Sequence, residues 1–207
     1  MRFLRFSERK LYLVTDENMK LEELLKGLDE AIKSGVSVVQ YRAKSKSVRE
    51  MVYEANMIKE ICRKHRVIFL VNDRIDIAIA VNADGVHLGK SDMRADIARS
   101  LIGENKIIGL TVDNKKMLSE IKEYKLDYIT VGKGLEGIEN DKIDVITEEN
   151  MIFLRDIYKG NIYGTYGMKS QFDRYDNKSL IDGLIGSSSV IFSDLYSDKL
   201  KKKIEKL

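Results

Sequence analysis

Short apolar runs rich in β-branched residues alternate with amphipathic helical stretches along the entire chain, and this rhythm constrains the fold more tightly than any motif. Strands are expected at Leu11–Thr15, Val36–Tyr41, Ile68–Val71, Gly85–Leu88, Ile107–Thr111, Tyr128–Val131, Ile162–Gly164 and Val190–Ser193. Helices are expected at Leu21–Ser34, Ser47–Lys64, Arg74–Val81, Arg94–Leu101, Lys116–Tyr124, Glu148–Lys159 and Asp198–Lys206, with a weaker pattern near Gln171–Asp176. In Ser47–Lys64 the residues Val48, Met51, Val52, Ala55, Ile58, Ile61 and Cys62 form one apolar stripe, and charged residues take the remaining surface. Strands apolar on both faces and separated by helices belong to a parallel sheet covered on its outer side. Eight such pairs, with no linker-like stretch between them, imply an α/β fold: a (β/α)8 TIM barrel forming a single domain over residues 1–207.

Composition narrows the function classes. Lys and Arg number 36 against 33 Asp and Glu, interspersed along the chain, which is unlike the basic stripe of a nucleic-acid binder. Phosphorylated small molecules are the expected partners, and nothing in the sequence bars a homo-oligomer. No apolar run is long enough to cross a bilayer and the first ten residues lack a signal-peptide pattern, so a soluble cytoplasmic protein is expected. The lone cysteine, Cys62, excludes a disulfide framework and a Cys-rich zinc site, and its place on the apolar stripe makes it core filling.

Function in such a barrel gathers at the carboxyl ends of the strands. In "VVQYRAKS" the residues Gln40, Arg42 and Lys44 fall two apart and share one face, while Val39 and Tyr41 look the other way. A guanidinium and an amide turned inward call for an anionic partner. Asn72 and Asp73 finish the third strand, and His87 with Asp92 follow the fourth. One βα unit separates Asp73 from Asp92, so their carboxylates can converge at the mouth, where two hard oxygen ligands suit Mg²⁺ completed by phosphate oxygens and water. Cations beside a carboxylate-held magnesium describe a diphosphate site. Asp73 also has the chemistry of an N-cap for the helix that follows, and His87 that of a hydrogen-bonded core histidine. His65, at a charged helix end, reads as solvated.

The stretches "LYLVTD", "VVQYRAK", "FLVNDRIDIAIAVNADGVHLGKSD" and "KIIGLT" together resemble the thiamine-phosphate synthase family, which also includes thiazole tautomerases. The resemblance implies a barrel enzyme that joins hydroxymethylpyrimidine diphosphate to a thiazole phosphate with Mg²⁺, releasing pyrophosphate and giving thiamine phosphate. It implies that Gln40, Arg42, Lys44 and Asn72 hold the pyrimidine diphosphate. Asp73 and Asp92 match the magnesium ligands, and Thr111 stands where the family has a Ser at the pyrimidine. Arg42, Lys44 and Thr111 are the expected catalytic residues.

Past Thr111 the resemblance thins. The family's Pro-Thr-rich loop after the sixth strand reads here "VGKGLEGIENDK", with Glu136 and Glu139 in place of hydroxyls and with Lys133 and Lys142 as the available cations. The double-glycine turn after the seventh strand is reduced to Gly167 in "GTYGM", and Ser193 is the expected phosphate contact after the eighth. "GSSS" from Gly186 has the composition of a phosphate nest but precedes the expected eighth strand, at the wrong end of the barrel. Two alternatives follow: a binding or regulatory barrel that keeps the diphosphate site without turnover, and a thiazole tautomerase. Asp113 and Asn114 stand where the tautomerases carry a His, which disfavours the second.

Overall fold

The computed structural model describes residues 10–112, 117, 121, 123–132, 148–165 and 180–195. Eight parallel strands close into a barrel in sequence order, with β1 hydrogen-bonded to both β2 and β8. They are β1 (Leu11–Val14), β2 (Val36–Tyr41), β3 (Ile68–Asn72), β4 (Gly85–Leu88), β5 (Ile107–Val112), β6 (Tyr128–Val131), β7 (Asn161–Thr165) and β8 (Gly183–Ser187). Among the described residues the helices are α1 (Leu21–Lys33), α2 (Val48–His65), α3 (Ile75–Ala80), α4 (Ala95–Ile102), α5 (Glu148–Ile157) and α6 (Ser188–Leu195). The helices expected near Gln171–Asp176 and over Asp198–Lys206, and most of Lys116–Tyr124, lie outside the described residues.

Period-two alternation splits each strand between two cores. Leu11, Leu13, Val39, Tyr41, Phe69, Val71, Val86, Ile108, Ile129 and Ile162 face outward into the main cluster beneath the helices. Tyr12, Val14, Val38, Ile68, Leu70, Ile107, Tyr128, Tyr163 and Ile185 face inward and fill the barrel. The inner set is unusual in its hydroxyls, because three of its large rings are tyrosines and the polar Gln40, His87 and Thr130 are buried beside them. Gly109 makes this possible: a Cβ there would lie 2.0 Å from the Tyr128 ring, so the bare backbone of β5 is what lets that ring lie across it.

Helix α2 shows how local chemistry sets the shell. Ser47 caps it through the Glu50 N–H, and the Glu50 side chain accepts from the Ser47 N–H in return. Met51, Ala55, Ile58 and Cys62 form its buried face, Arg63, Lys64 and His65 lie in its last turn, and Arg66 ends it in the left-handed conformation. Val48, expected in the stripe, is 53% exposed at the first position of the helix. His65 is not simply solvated, since its Nε2 lies 2.7 Å from an Asp29 carboxylate oxygen on α1.

An aspartate immediately before every even strand from β4 onward ties down the bottom of the barrel. Asp84, Asp127 and Asp182 each accept, at 2.8 Å, the N–H of the second residue in the preceding strand: Phe69, Ile108 and Ile162. Arg99 and Arg155 in turn bond Asp127 and Asp182. Each carboxylate satisfies a backbone donor at the barrel floor that the parallel ladder leaves open.

One strand differs from expectation. β8 is Gly183–Ser187, and Val190–Ser193 belongs to α6. The apolar "VIF" misleads because Ile191 turns a single helical face to the core while Val190 is 42% exposed. The Ser193 hydroxyl only bonds back to the Val190 carbonyl, one turn earlier, so Ser193 is not at a strand end. "GSSS" is corrected in the opposite sense. Gly186 and Ser187 end β8 and Ser188 and Ser189 open α6, which puts them at the carboxyl mouth rather than the floor.

Candidate active site

The cleft at the mouth is lined by residues from successive strand ends. β2 and its loop contribute Gln40, Arg42 and Lys44; β3 contributes Asn72 and Asp73; β4 and its loop contribute His87 and Gly89 to Asp92. Thr111, Thr130 and Thr165 complete it from β5, β6 and β7, with Ile185 from β8. The alternation of β2 is as expected, with Val39 and Tyr41 in the outer core and Gln40 only 2% exposed within the barrel.

Asp73 has φ 58, a left-handed conformation uncommon for a residue other than Gly and tolerated best by Asn and Asp. Its N–H donates to the His87 carbonyl at 2.9 Å, which locks the bend against the next strand. Helix α3 has Arg74 at its N-cap and no side-chain cap bond, so Asp73 is not serving as the cap its sequence position allows. Its carboxylate instead accepts from Lys44 Nζ and is hydrogen-bonded to Asp92. Burial, helped by that proton shared with Asp92, lifts the Asp73 carboxyl to about 6. Burial would raise Asp92 too, but the bond to Asp73, the Gly89 N–H at 2.6 Å and the Lys44 charge outweigh it and hold Asp92 low. Lys44 stays charged above its ordinary range: desolvation opposes the ammonium, and the two carboxylates overcome it.

Lys44 is aimed by a residue that the strand-end reading passes over. One Glu17 carboxylate oxygen accepts the Lys44 N–H at 2.8 Å, and the Ser45 N–H and hydroxyl at 3.0 Å each. Thr15 Oγ1 likewise takes the Arg42 N–H at 2.9 Å. The β1–α1 loop therefore sets the path of the β2–α2 loop.

A sequence model described as thiamine monophosphate synthase matches residues 11–142. The chain belongs to that family. The thiamine-phosphate synthase of Clostridium perfringens (strain 13 / Type A) is 39% identical over 195 residues, which cover 94% of each chain. That of Methanosarcina barkeri (strain Fusaro / DSM 804) is 49% identical over 125 residues, 60% of this chain and 56% of its own. Thiamine phosphate pyrophosphorylase from Pyrococcus furiosus superposes with a TM-score of 0.79 at 29% identity, covering 99% of this chain and 98% of that one. An alignment over 94% of the chain also carries the likeness well past Thr111, where the motifs alone thin out.

In this member of the thiamine monophosphate synthase family, Gln40 does not wait for an anion. Its Oε1 accepts from the Tyr12 hydroxyl and its Nε2 donates to Asn72 Oδ1, so the protein itself satisfies the buried amide. His87 likewise has partners, with Nδ1 2.8 Å from the Tyr128 hydroxyl and Nε2 2.8 Å from Thr111 Oγ1. Burial pushes its imidazole down to about 4, so it is neutral at physiological pH. Thr111 Oγ1 also lies 3.1 Å from Thr130 Oγ1.

The structure thus brings Gln40, Arg42, Lys44, Asn72, Asp73, Asp92 and Thr111 into one cleft and leaves the exposed Ser193 out of its lining. Lys133, Lys142 and Gly167 lie outside the described residues, as do Asp113 and Asn114. Among the described residues no group of three or more His, Cys, Asp or Glu side chains forms a metal cluster. Glu17, Tyr12, Tyr128 and Thr130 were missed by a reading confined to strand ends and charges. The available signal was the period-two pattern, which turns Tyr12, Tyr128 and Thr130 inward.

Proposed function

We propose that the cleft binds a pyrimidine diphosphate with Mg²⁺ and transfers the pyrimidine methylene to the nitrogen of a thiazole phosphate, the reaction implied by the resemblance to thiamine-phosphate synthases, whose name the chain's relatives carry. Thiamine-phosphate synthase activity, a transferase reaction, follows from family membership and from likeness over nearly the whole chain. The observation that carries the assignment of the site is the left-handed turn at Asp73, which holds its carboxylate against Lys44 and Asp92 beside Arg42.

Two carboxylates crowded into one cleft are a strong attractor for a small divalent cation, since the cation removes the repulsion between them. Asp73 and Asp92 would hold the metal, with the remaining oxygens coming from diphosphate and water. When bound, Mg²⁺ supplies neutralising charge to the departing diphosphate. Arg42 and Lys44 supply the rest as charge-assisted donors. In the reaction the bond from the pyrimidine methylene to the diphosphate oxygen breaks, and diphosphate leaves with that electron pair. The thiazole nitrogen then forms the new bond to the methylene carbon. No side chain needs to act as a nucleophile, which agrees with a cleft of cations, carboxylates, amides and hydroxyls. The turn Ser187 to Ser189 faces the same mouth and suits the phosphate of the acceptor, because its hydroxyls, 2.9 Å apart, stand at the start of α6.

Incubating the protein with both phosphorylated substrates and Mg²⁺ tests the proposal. Thiamine phosphate and pyrophosphate should appear in equal amounts, and Arg42→Ala should suppress both. Binding of the pyrimidine diphosphate with no product at any acceptor concentration would instead identify a regulatory barrel.

A further inference from the structure

A single hydrogen-bonded chain crosses the barrel interior beneath the cleft, and its proton order can be deduced link by link. Gln40 Oε1 accepts from the Tyr12 hydroxyl, which uses the only proton Tyr12 has. In the 2.8 Å contact between Tyr12 and Tyr128, Tyr128 must therefore be the donor. Its proton is then engaged, so the 2.8 Å contact with His87 requires Nδ1–H to donate to the Tyr128 oxygen. His87 is only 5% exposed inside the barrel, where an added charge would be desolvated, so its ring is neutral; protonated at Nδ1 it is bare at Nε2, and there Thr111 must donate. The last contact, 3.1 Å, then has Thr130 donating to Thr111.

The two ends of this chain face the cleft with opposite polarity. At β5 and β6 both threonine hydroxyls have their protons engaged inside the barrel and offer the cleft only lone pairs. At β3 the Asn72 carbonyl oxygen is occupied by Gln40 Nε2, and its amide N–H groups are the free edge. Among the described residues those N–H groups have no protein partner, and Asn72, Thr111 and Thr130 all line the cleft.

We propose that Tyr12, Tyr128 and His87 are positioning residues that fix Thr111 and Thr130 as hydrogen-bond acceptors, and thereby select a heterocycle bearing an amino group over its oxo counterpart. An aminopyrimidine presents a ring nitrogen to the Asn72 donor and an amino group to the threonine acceptors. An oxo ring sets acceptor against acceptor and leaves buried oxygens unpaired, which a site built on hydrogen bonds rejects strongly. The identity of the ring rests on the function proposed above; the proton order does not.

The test has two independent arms. In ¹⁵N-histidine NMR of the ligand-free protein near neutral pH, His65→Gln assigns the resonances, since the chain has only two histidines. His87 should show a protonated Nδ1 and a bare Nε2; a protonated Nε2 overturns the proposal. In the second arm, calorimetry compares the aminopyrimidine diphosphate with its oxo analogue, which should bind at least about tenfold more weakly. Tyr128→Phe removes the acceptor for Nδ1–H, so His87 should move toward the Nε2–H form and the preference should shrink. Thr130→Val should shrink it as well, and Thr130→Ser should restore it. An unchanged preference in Tyr128→Phe, despite a changed tautomer, overturns the selection claim. Failure of the wild type to bind either pyrimidine defeats both the substrate assignment and the selection built on it, while the tautomer alone still decides the proton order.

Discussion

Asp73, just past the end of β3, and Asp92, on the loop after β4, line the same cleft close enough to oppose each other's ionisation, and Lys44 donates to the first of them. A divalent cation would relieve the repulsion between them and raise stability only while both carboxylates remain. Mg²⁺ with pyrophosphate should therefore raise the melting temperature of the wild type, and Asp73→Asn and Asp92→Asn should abolish that rise and lower activity at least about 100-fold. Asn tolerates the left-handed backbone at position 73, so the variant should fold. Chelation with EDTA should silence the wild type, and full activity in EDTA would refute a metal role.

Glu17 gathers three donors from Lys44 and Ser45 on one carboxylate oxygen. Glu17→Ala should let the β2–α2 loop relax and turn Lys44 away from the cleft. The expected signature is a KM for the pyrimidine diphosphate raised about tenfold with a smaller change in kcat, because ground-state positioning is what is lost. Glu17→Gln keeps an acceptor oxygen and should recover much of the affinity. A lowered kcat with unchanged KM in both variants would point to a different role.

The barrel and half of its mouth were legible in the sequence because each rests on a local pattern. Alternation in Val36–Tyr41 is enough to send Gln40 inward and Tyr41 outward, and adjacency of β3 and β4 is enough to bring Asp73 near Asp92. β8 was not legible, because Gly183–Ser187 reads "GLIGS", where glycines dilute the apolar signal and the "VIF" of α6 looks more strand-like. The internal chain through Tyr12, Tyr128 and His87 was hidden for another reason. It joins residues 41 and 116 positions apart, and only barrel closure makes them neighbours. Gln40 shows the same limit from the other side, since a buried amide suggests a ligand until the Tyr12 hydroxyl that satisfies it is found.

Asp127 belongs to the floor of the barrel, where it accepts the N–H of the fully buried Ile108 and pairs with Arg99. Asp127→Ala should leave that backbone donor unsatisfied and cost about 1–3 kcal/mol in urea unfolding. KM for either substrate should not move, because the mouth lies at the opposite strand ends. A variant of normal stability would show that water replaces the strap at no cost.

His87 gives the protein a pH dependence whose sign is fixed by its burial. Burial lowers the imidazole from the ordinary 6.5 to about 4, so between those values the unfolded chain binds a proton that the folded one refuses. The unfolded state is favoured as pH falls through this window, and the stabilisation is fully present only above about pH 6.5. From pH 7 to pH 5 the contribution of this one group should fall by about 2 kcal/mol. Carboxylates titrate in the same range, so the measurement is the difference between wild type and His87→Gln in urea unfolding at each pH. The wild type should lose stability more steeply than the variant on acidification. Parallel curves would mean that His87 is protonated, or solvated, within the folded barrel, and the neutral link between Tyr128 and Thr111 would fall with it.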